Sequence, residues 1–248
     1  MKVALVTGAS YGVGAATALA LASDGFHVVL TATRERNLDA TLTTVRETGQ
    51  NAFGIELDLR SQLSIEKAAA AAIKAFGQID VLVNNAGVNL RSKAIETERD
   101  EFEDVLLTNV TGTFFLTQQI GRYLIAQHAP GRIITISSAH ALVGAAERSA
   151  YGISKAALLQ MTRMLAVEWA EYGITVNAVA PGRLDTTSPS RAGTGSNKDY
   201  MEAMLKRIPL HRLATAEEVA AAAVFLAGPG AASITGQTIV IDGGLTTA

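Results

Sequence analysis

Seven short, apolar and often β-branched segments recur along the chain, each separated from the next by an Ala/Leu/Glu-rich stretch. They are Val3–Val6, Val28–Leu30, Ala52–Leu57, Val81–Val83, Ile133–Ile136, Thr175–Val179 and Thr238–Ile241. The stretches between them, about 14–24, 36–48, 62–76, 98–128, 151–172 and 215–227, have helical composition. A strand apolar along its whole length must be covered on both faces, which a parallel sheet flanked by helices achieves. Repeated strand–helix–strand units with right-handed crossovers predict an α/β fold, a doubly wound, Rossmann-like parallel sheet of about seven strands. With 248 residues, 48% of them apolar, one such core fills without disulfide or metal staples. The chain reads as a single domain over 1–248, because no linker, repeat or low-complexity tract divides it. The rhythm breaks only at 183–212, where Pro189, Gly193, Gly195 and Pro209 surround a short helical piece at 198–207. A long irregular loop in a compact domain is usually functional, and this one is predicted to be a substrate lid.

Composition removes several functions. A net charge of −2 with no local Lys/Arg cluster leaves no footprint for nucleic acid. The absence of cysteine excludes disulfides, thiolate metal sites and thiol catalysis. The four histidines are scattered without ligand spacing, so no catalytic metal is expected. The first apolar run is too short for a signal peptide, and none approaches the roughly 18 residues of a membrane span. A cytoplasmic globular protein is expected.

After the first strand comes Thr7-Gly8-Ala9-Ser10-Tyr11-Gly12-Val13-Gly14, then an alanine-rich helix. Glycines between a strand and a helix allow a tight turn and bring backbone N–H groups close to a pyrophosphate. The helix N-terminus adds the positive end of its dipole. The plainer alternative is a turn needed only for strand–helix packing, but its place after the first strand favours a dinucleotide. Tyr151 and Lys155, four residues apart, share one face of a helix. An ammonium beside a phenol favours the phenolate and tunes a tyrosine for proton transfer. Ser138 stands at the end of the fifth strand, at the sheet edge where ligands bind, and its hydroxyl can hold a substrate oxygen beside that tyrosine. Taken alone, a Tyr/Lys pair at this spacing is an ordinary helix surface; beside Ser138 and the cradle, it points to catalysis.

Thr7–Gly14, Asn84–Gly87, Ser138, Tyr151–Lys155 and Pro181-Gly182, in this order, resemble the motifs of the short-chain dehydrogenase/reductase family, and the likeness runs from Lys2 to about Thr246. The resemblance implies an NAD(P)-dependent alcohol dehydrogenase or carbonyl reductase. In that case Tyr151 is the general acid/base, Lys155 its pKa partner and a ribose ligand, and Ser138 the hydroxyl that orients the substrate. Asn109 would hold a water of the proton relay, or else simply bond locally within its helix. Ser137 matches Ser138 in type, but the spacing to Tyr151 favours Ser138. Cofactor contacts are implied at Gly8, Ser10, Tyr11, Gly12, Val13, Gly14, Thr33, Arg34, Asp58, Leu59, Asn85, Ala86, Gly87, Pro181, Gly182, Leu184 and Thr186, besides Tyr151 and Lys155. Asp58 reads equally as a helix cap. The lid and residues 139–148 are expected to set selectivity, and His140 is either a substrate contact, with Ser138 and Tyr151, or part of the pocket wall.

The acid that holds a ribose 2′-hydroxyl in NAD enzymes has its counterpart here at Ala32. Thr33 and Arg34 follow it and suit a 2′-phosphate, so NADP(H) is favoured over NAD(H). Two features run the other way. Many NADP-using members carry a basic residue where this chain has Tyr11, and Arg34 and Arg36 also fit a solvated helix turn. Length and the ending Ile234-Thr235-Gly236-Gln237 … Asp242-Gly243-Gly244 resemble the 3-oxoacyl-carrier-protein reductases of fatty-acid synthesis. The arginines that dock the acidic carrier fall at Tyr172 and at His128 or Ala129, which argues for a free small-molecule substrate. The resemblance also implies a homotetramer, with the helices around 98–128 and 151–172 in one interface. Alternatives are the carrier-protein reductase itself, a non-catalytic dinucleotide sensor, and a methyltransferase, in whose chemistry the Tyr/Lys pair has no part.

Overall fold

Alternation along the first strand divides the interior in two. In strand β1 (Lys2–Val6), Ala4 and Val6 enter one buried cluster, while Val3 and Leu5 enter another on the opposite face. A computed structural model describes residues 2–185 and 198–247, the side chains of 198–200 excepted. After β1 come α1 (Gly12–Ser23), β2 (Phe26–Ala32), a 3-10 turn (Glu35–Leu38), α2 (Asp39–Glu47), β3 (Ala52–Glu56) and α3 (Gln62–Phe76). β4 (Val81–Asn84), α4 (Arg99–Leu106), α5 (Thr113–Ala126), β5 (Gly131–Ile136) and α6 (Ser149–Trp169) follow. The chain closes with β6 (Ile174–Pro181), α7 (Lys198–Lys206), α8 (Ala216–Ala227) and β7 (Thr238–Ile241).

The strands form one seven-stranded sheet in the order β3-β2-β1-β4-β5-β6-β7, and every neighbouring pair is parallel. On one face, Leu21 of α1, Leu42 of α2 and Val219 and Leu226 of α8 cover Val28, Val83 and Ile134. On the other, Ile65 of α3, Ile120 of α5 and Leu158 and Leu165 of α6 cover Val29, Leu82 and Ile133. The order reverses beside β1, which pairs with β2 on one side and β4 on the other. A crevice opens beyond the carboxyl ends of the strands at such a reversal.

Three local features depart from the expected elements. The stretch 98–128 is not one helix: a π-helical turn, Leu107–Gly112, separates α4 from α5. β5 stops at Ile136, so Ser138 lies two residues beyond the strand end. α3 is capped by Ser61, whose Oγ accepts from the Ser64 N–H at 3.3 Å, and not by Asp58. Within the predicted lid, Leu184 bridges to Ala214, and Asp185 N–H donates to the Ala214 carbonyl at 3.0 Å. Residues 186–197, including Thr186, lie outside the described residues.

Candidate active site

The crevice is a cleft of about 680 Å³ into which the ends of β1, β2, β4, β5 and β6 deliver their loops. Gly8, Ser10, Tyr11, Gly12 and Val13 line one end. Gly8 and Gly12 have φ of +63° and +59°, a region glycine enters without cost. A Cβ on Gly14 would lie 2.2 Å from the Gly8 carbonyl oxygen, so Gly14 lets α1 close onto the turn. Tyr11 gives α1 no side-chain cap and the first turn holds no acid, so the N–H groups there suit an anion.

The turn after β4 is clamped to this cradle. Thr7 Oγ1 accepts from the N–H groups of Asn85 and Ala86 at 2.9 and 3.0 Å. Asn85 Nδ2 returns two bonds, to the carbonyls of Thr7 and Gly8 at 2.9 and 3.0 Å. A Cβ on Gly8 would lie 2.8 Å from Ala86 Cα, so the two turns touch backbone to backbone. Asn85, Ala86 and Gly87 therefore form a second wall.

Ser138, Tyr151 and Lys155 line the same cleft. Two bonds pin α6 to the end of β5. Ser137 Oγ donates to the Lys155 carbonyl at 2.8 Å, and Lys155 Nζ donates to the Ile136 carbonyl at 2.9 Å. Ser137 is thereby spent on structure, whereas Ser138 Oγ accepts only a 3.2 Å bond from the His140 N–H among the described residues. Lys155 Nζ stands 5.7 Å from the centre of the Tyr151 ring, and burial pushes its pKa down to about 8. His140 stands edge-on to Tyr151 with ring centres 6.3 Å apart. Burial, and then the charge of Arg148, lower its pKa, and its buried Nδ1 has no hydrogen-bond partner among the described residues.

Asn109 sits in the π-helical turn, fully buried and away from the cleft lining. Its Oδ1 accepts from Val88 N–H at 2.7 Å, and its Nδ2 donates to the Val88 carbonyl at 2.9 Å and Ser154 Oγ at 3.0 Å. Ser154 Oγ in turn donates to the Tyr151 carbonyl at 2.7 Å. The asparagine side chain thus ties the wall after β4 to the turn of α6 that carries Tyr151.

Other predicted contacts divide. Thr33, Pro181, Gly182 and Leu184 line the cleft. Arg34 is exposed and is not among the lining residues, whereas Asn37, which residue type alone did not single out, is. Asp58 is bound to Arg60 at 3.0 Å, which lowers its pKa. Leu59 packs against the wide turn, its carbonyl oxygen 2.1 Å from where a Gly112 Cβ would stand. Sequence reasoning missed Asn89 and Arg91, which line the cleft, whereas Arg148, Arg183 and Arg207, which also line it, fall in the two stretches expected to set selectivity. Among the described residues, no group of three or more His, Asp or Glu could hold a metal, and no helix is long and apolar enough to cross a membrane.

Comparison with known proteins agrees with this geometry. Residues 8–246 match the family described as enoyl-(acyl carrier protein) reductase. The chain is 40% identical to the short-chain reductase protein NovJ of Streptomyces niveus, covering 98% of this chain and 93% of that protein. It is 37% identical to an NAD-dependent glycerol dehydrogenase of Listeria innocua (99% and 94%) and 38% identical to the 3-oxoacyl-[acyl-carrier-protein] reductase FabG of Escherichia coli (98% and 97%). Among solved structures, a putative short-chain alcohol dehydrogenase from Sinorhizobium meliloti superposes with a TM-score of 0.96 at 36% identity, over 100% of this chain and 97% of that one. A putative 2-deoxy-D-gluconate 3-dehydrogenase from Agrobacterium tumefaciens with bound NADP does so at 0.91 and 33%, over 100% and 97%. The chain belongs to the short-chain dehydrogenase/reductase family, whose members are nicotinamide-dependent oxidoreductases.

Proposed function

We propose that the protein is an NADP(H)-dependent carbonyl reductase/alcohol dehydrogenase acting on a free small molecule. The observation that carries this is the convergence of Ser138, Tyr151 and Lys155 on the cleft that the glycine cradle opens. When bound, the nicotinamide supplies or accepts the hydride. The chain's own residues do the rest. Ser138 Oγ holds the substrate oxygen, Tyr151 gives it a proton in reduction or takes one in oxidation, and Lys155 favours the phenolate. Gly8–Val13 would hold the pyrophosphate, and Asn85–Gly87 with Pro181, Gly182 and Leu184 would flank the nicotinamide end. Asn109 acts on Tyr151 by position, through Ser154.

Preference for the 2′-phosphate form rests on the end of β2. Thr31, Ala32, Thr33 and Asn37 line the cleft there without a carboxylate. Glu35, the nearby acid, lies over β3, its Cγ 3.6 Å from where a Gly54 Cβ would stand. A free substrate is favoured over a carrier-linked one because the first expected docking position is Tyr172, whose phenol the neighbouring Glu171 holds above its ordinary pKa. An acid there repels an acidic carrier. A homotetramer is supported by Phe114 on α5 and Ile153, Met164 and Val167 on α6, all exposed. Sedimentation at about four times the 25.9 kDa chain mass is the expected outcome, and a monomer at micromolar concentration rejects it.

Tyr151→Phe tests the chemistry. It should lower kcat by about 10²–10⁴-fold, the usual worth of a positioned acid/base, while NADPH affinity changes little. Near-normal turnover by the folded variant would overturn the assignment.

A further inference from the structure

The cleft beyond Tyr151 is strongly one-signed. Arg91, Arg148, Arg183 and Arg207 reach it from the segment after β4, the start of α6, the segment after β6 and the end of α7. Among the described residues no aspartate or glutamate lines the cleft, although acids outnumber Lys and Arg in the chain by 23 to 21. The local excess is therefore not a reflection of composition. Glu147 is ion-paired with Arg91 and also feels the charge of Arg148. Four guanidiniums and no carboxylate among the described lining residues make this wall basic.

Arg148 is the member best placed to meet a substrate. It is the N-cap of α6, three residues before Tyr151, and residues at this spacing lie on one helix face a turn apart. Asn89 Oδ1 accepts a 2.6 Å bond from its guanidinium, one of the contacts that hold the group in place. The charge of Arg148 also reaches His140, which stands edge-on to Tyr151. A fixed guanidinium one turn from the acid/base is suited to a planar, two-oxygen anion.

We propose that the natural substrate is a hydroxy acid/oxo acid pair whose carboxylate is held by Arg148. The inference rests on the oxidoreductase reading above. In reduction, the carbonyl carbon gains the hydride from reduced nicotinamide, which is thereby oxidised, and the carbonyl oxygen gains the proton of Tyr151, replaced from solvent. The carboxylate is neither protonated nor broken. Its binding energy aims the carbonyl at Ser138 and Tyr151.

The test uses acetoacetate, levulinate and 5-ketogluconate, each against its own methyl ester, which keeps the skeleton and removes the charge. kcat/KM is measured with NADPH and NADH, and binding to the enzyme–NADP⁺ complex is measured by calorimetry. At least one acid should exceed its ester at least tenfold in both readouts. Arg148→Gln should collapse the acid-to-ester ratio toward one, and Arg148→Lys should restore part of it. Equal acids and esters in the unmutated enzyme would overturn the proposal. So would an Arg148→Gln variant that weakens both alike, the mark of a merely structural role at the start of α6. If cofactor binds but no compound turns over, the three skeletons are not substrates and calorimetry decides the acid site: Arg148-dependent binding of acids keeps it, and no binding overturns the proposal.

Discussion

The two ends of the cleft are built on opposite terms. At the cradle, backbone meets backbone, and an added Cβ on Gly8 or Gly14 would collide with main-chain atoms at 2.8 and 2.2 Å. At the substrate end, His140, Arg148, Met204 and Arg207 do the lining, and a Cβ on Gly144 meets nothing within 4 Å. One end is specified by atoms that must be missing, the other by long side chains brought in from separate segments. A shared ligand fits the first, and substrate choice can drift at the second without disturbing it.

The contrast breaks most visibly through Gly14→Ala. That variant should lose cofactor affinity by a hundredfold or more, or lose several kcal/mol of stability, because neither Gly8 nor Asn85 can retreat. Gly144→Ala should keep melting within about 0.5 kcal/mol and leave NADPH binding nearly unchanged. Titration with NADPH and thermal denaturation of both variants check the pair; equal damage at the two glycines would end the distinction.

Lys155, where the two ends meet, gives the next effect. Burial holds its pKa at about 8 in the fold, against 10.5 for the free group. The lowered value means that the charged lysine opposes folding in full below pH 8, and that stability recovers as pH rises from about 8 to 10.5. The opposition amounts to about 3 kcal/mol. Lys155→Met should therefore flatten the rise in stability above pH 8 and abolish turnover, while at pH 7 the relief of the buried charge is offset by the lost bond to the Ile136 carbonyl. Denaturant melts at pH 7 and pH 9.5 decide this, and a variant whose stability still rises as steeply between them would refute it.

Ala32→Asp gives the smallest effect and sharpens the cradle end alone. A carboxylate beside Thr33 and Asn37 should shift preference toward NADH by about tenfold, or 1.4 kcal/mol. Binding constants for NADPH and NADH in both proteins measure it. An unmutated protein that already binds NADH tenfold better would remove the 2′-phosphate assignment.

Legibility in the sequence follows the same division. The sheet was readable because buried parallel strands must be apolar throughout, and the cradle because only glycine tolerates its contacts. That Ser138, Tyr151 and Lys155 share one cleft was readable only because the cradle and the family resemblance stood beside the Tyr/Lys spacing, which alone describes an ordinary helix surface. The basic character of the far wall was not, since Arg91, Arg148, Arg183 and Arg207 lie apart in sequence and look like ordinary solvated residues, even though 139–148 and the lid were expected to set selectivity. Asn37 was hidden by the 3-10 turn that brings it back to the cleft while Arg34 stays outside. Asp58 looked like a cap because Ser61, which does the capping, lies only three residues further on.

The wide turn at Leu107–Gly112 works as a phase shifter. An α-helix advances about 100° per residue, so one surplus residue held in a π turn rotates everything after it relative to everything before. α4 can therefore follow the surface, with Val105 alone buried, while α5 immediately presents Leu116, Ile120 and Leu124 to the sheet. Asn109 occupies the joint, where it faces Val88 and Ser154 at once. Deleting a single residue there would leave a regular helix of nearly the same length. It would also turn the bridge between the wall after β4 and the Tyr151 turn through more than a quarter of a circle, so the local irregularity is what keeps the two halves of the site in step.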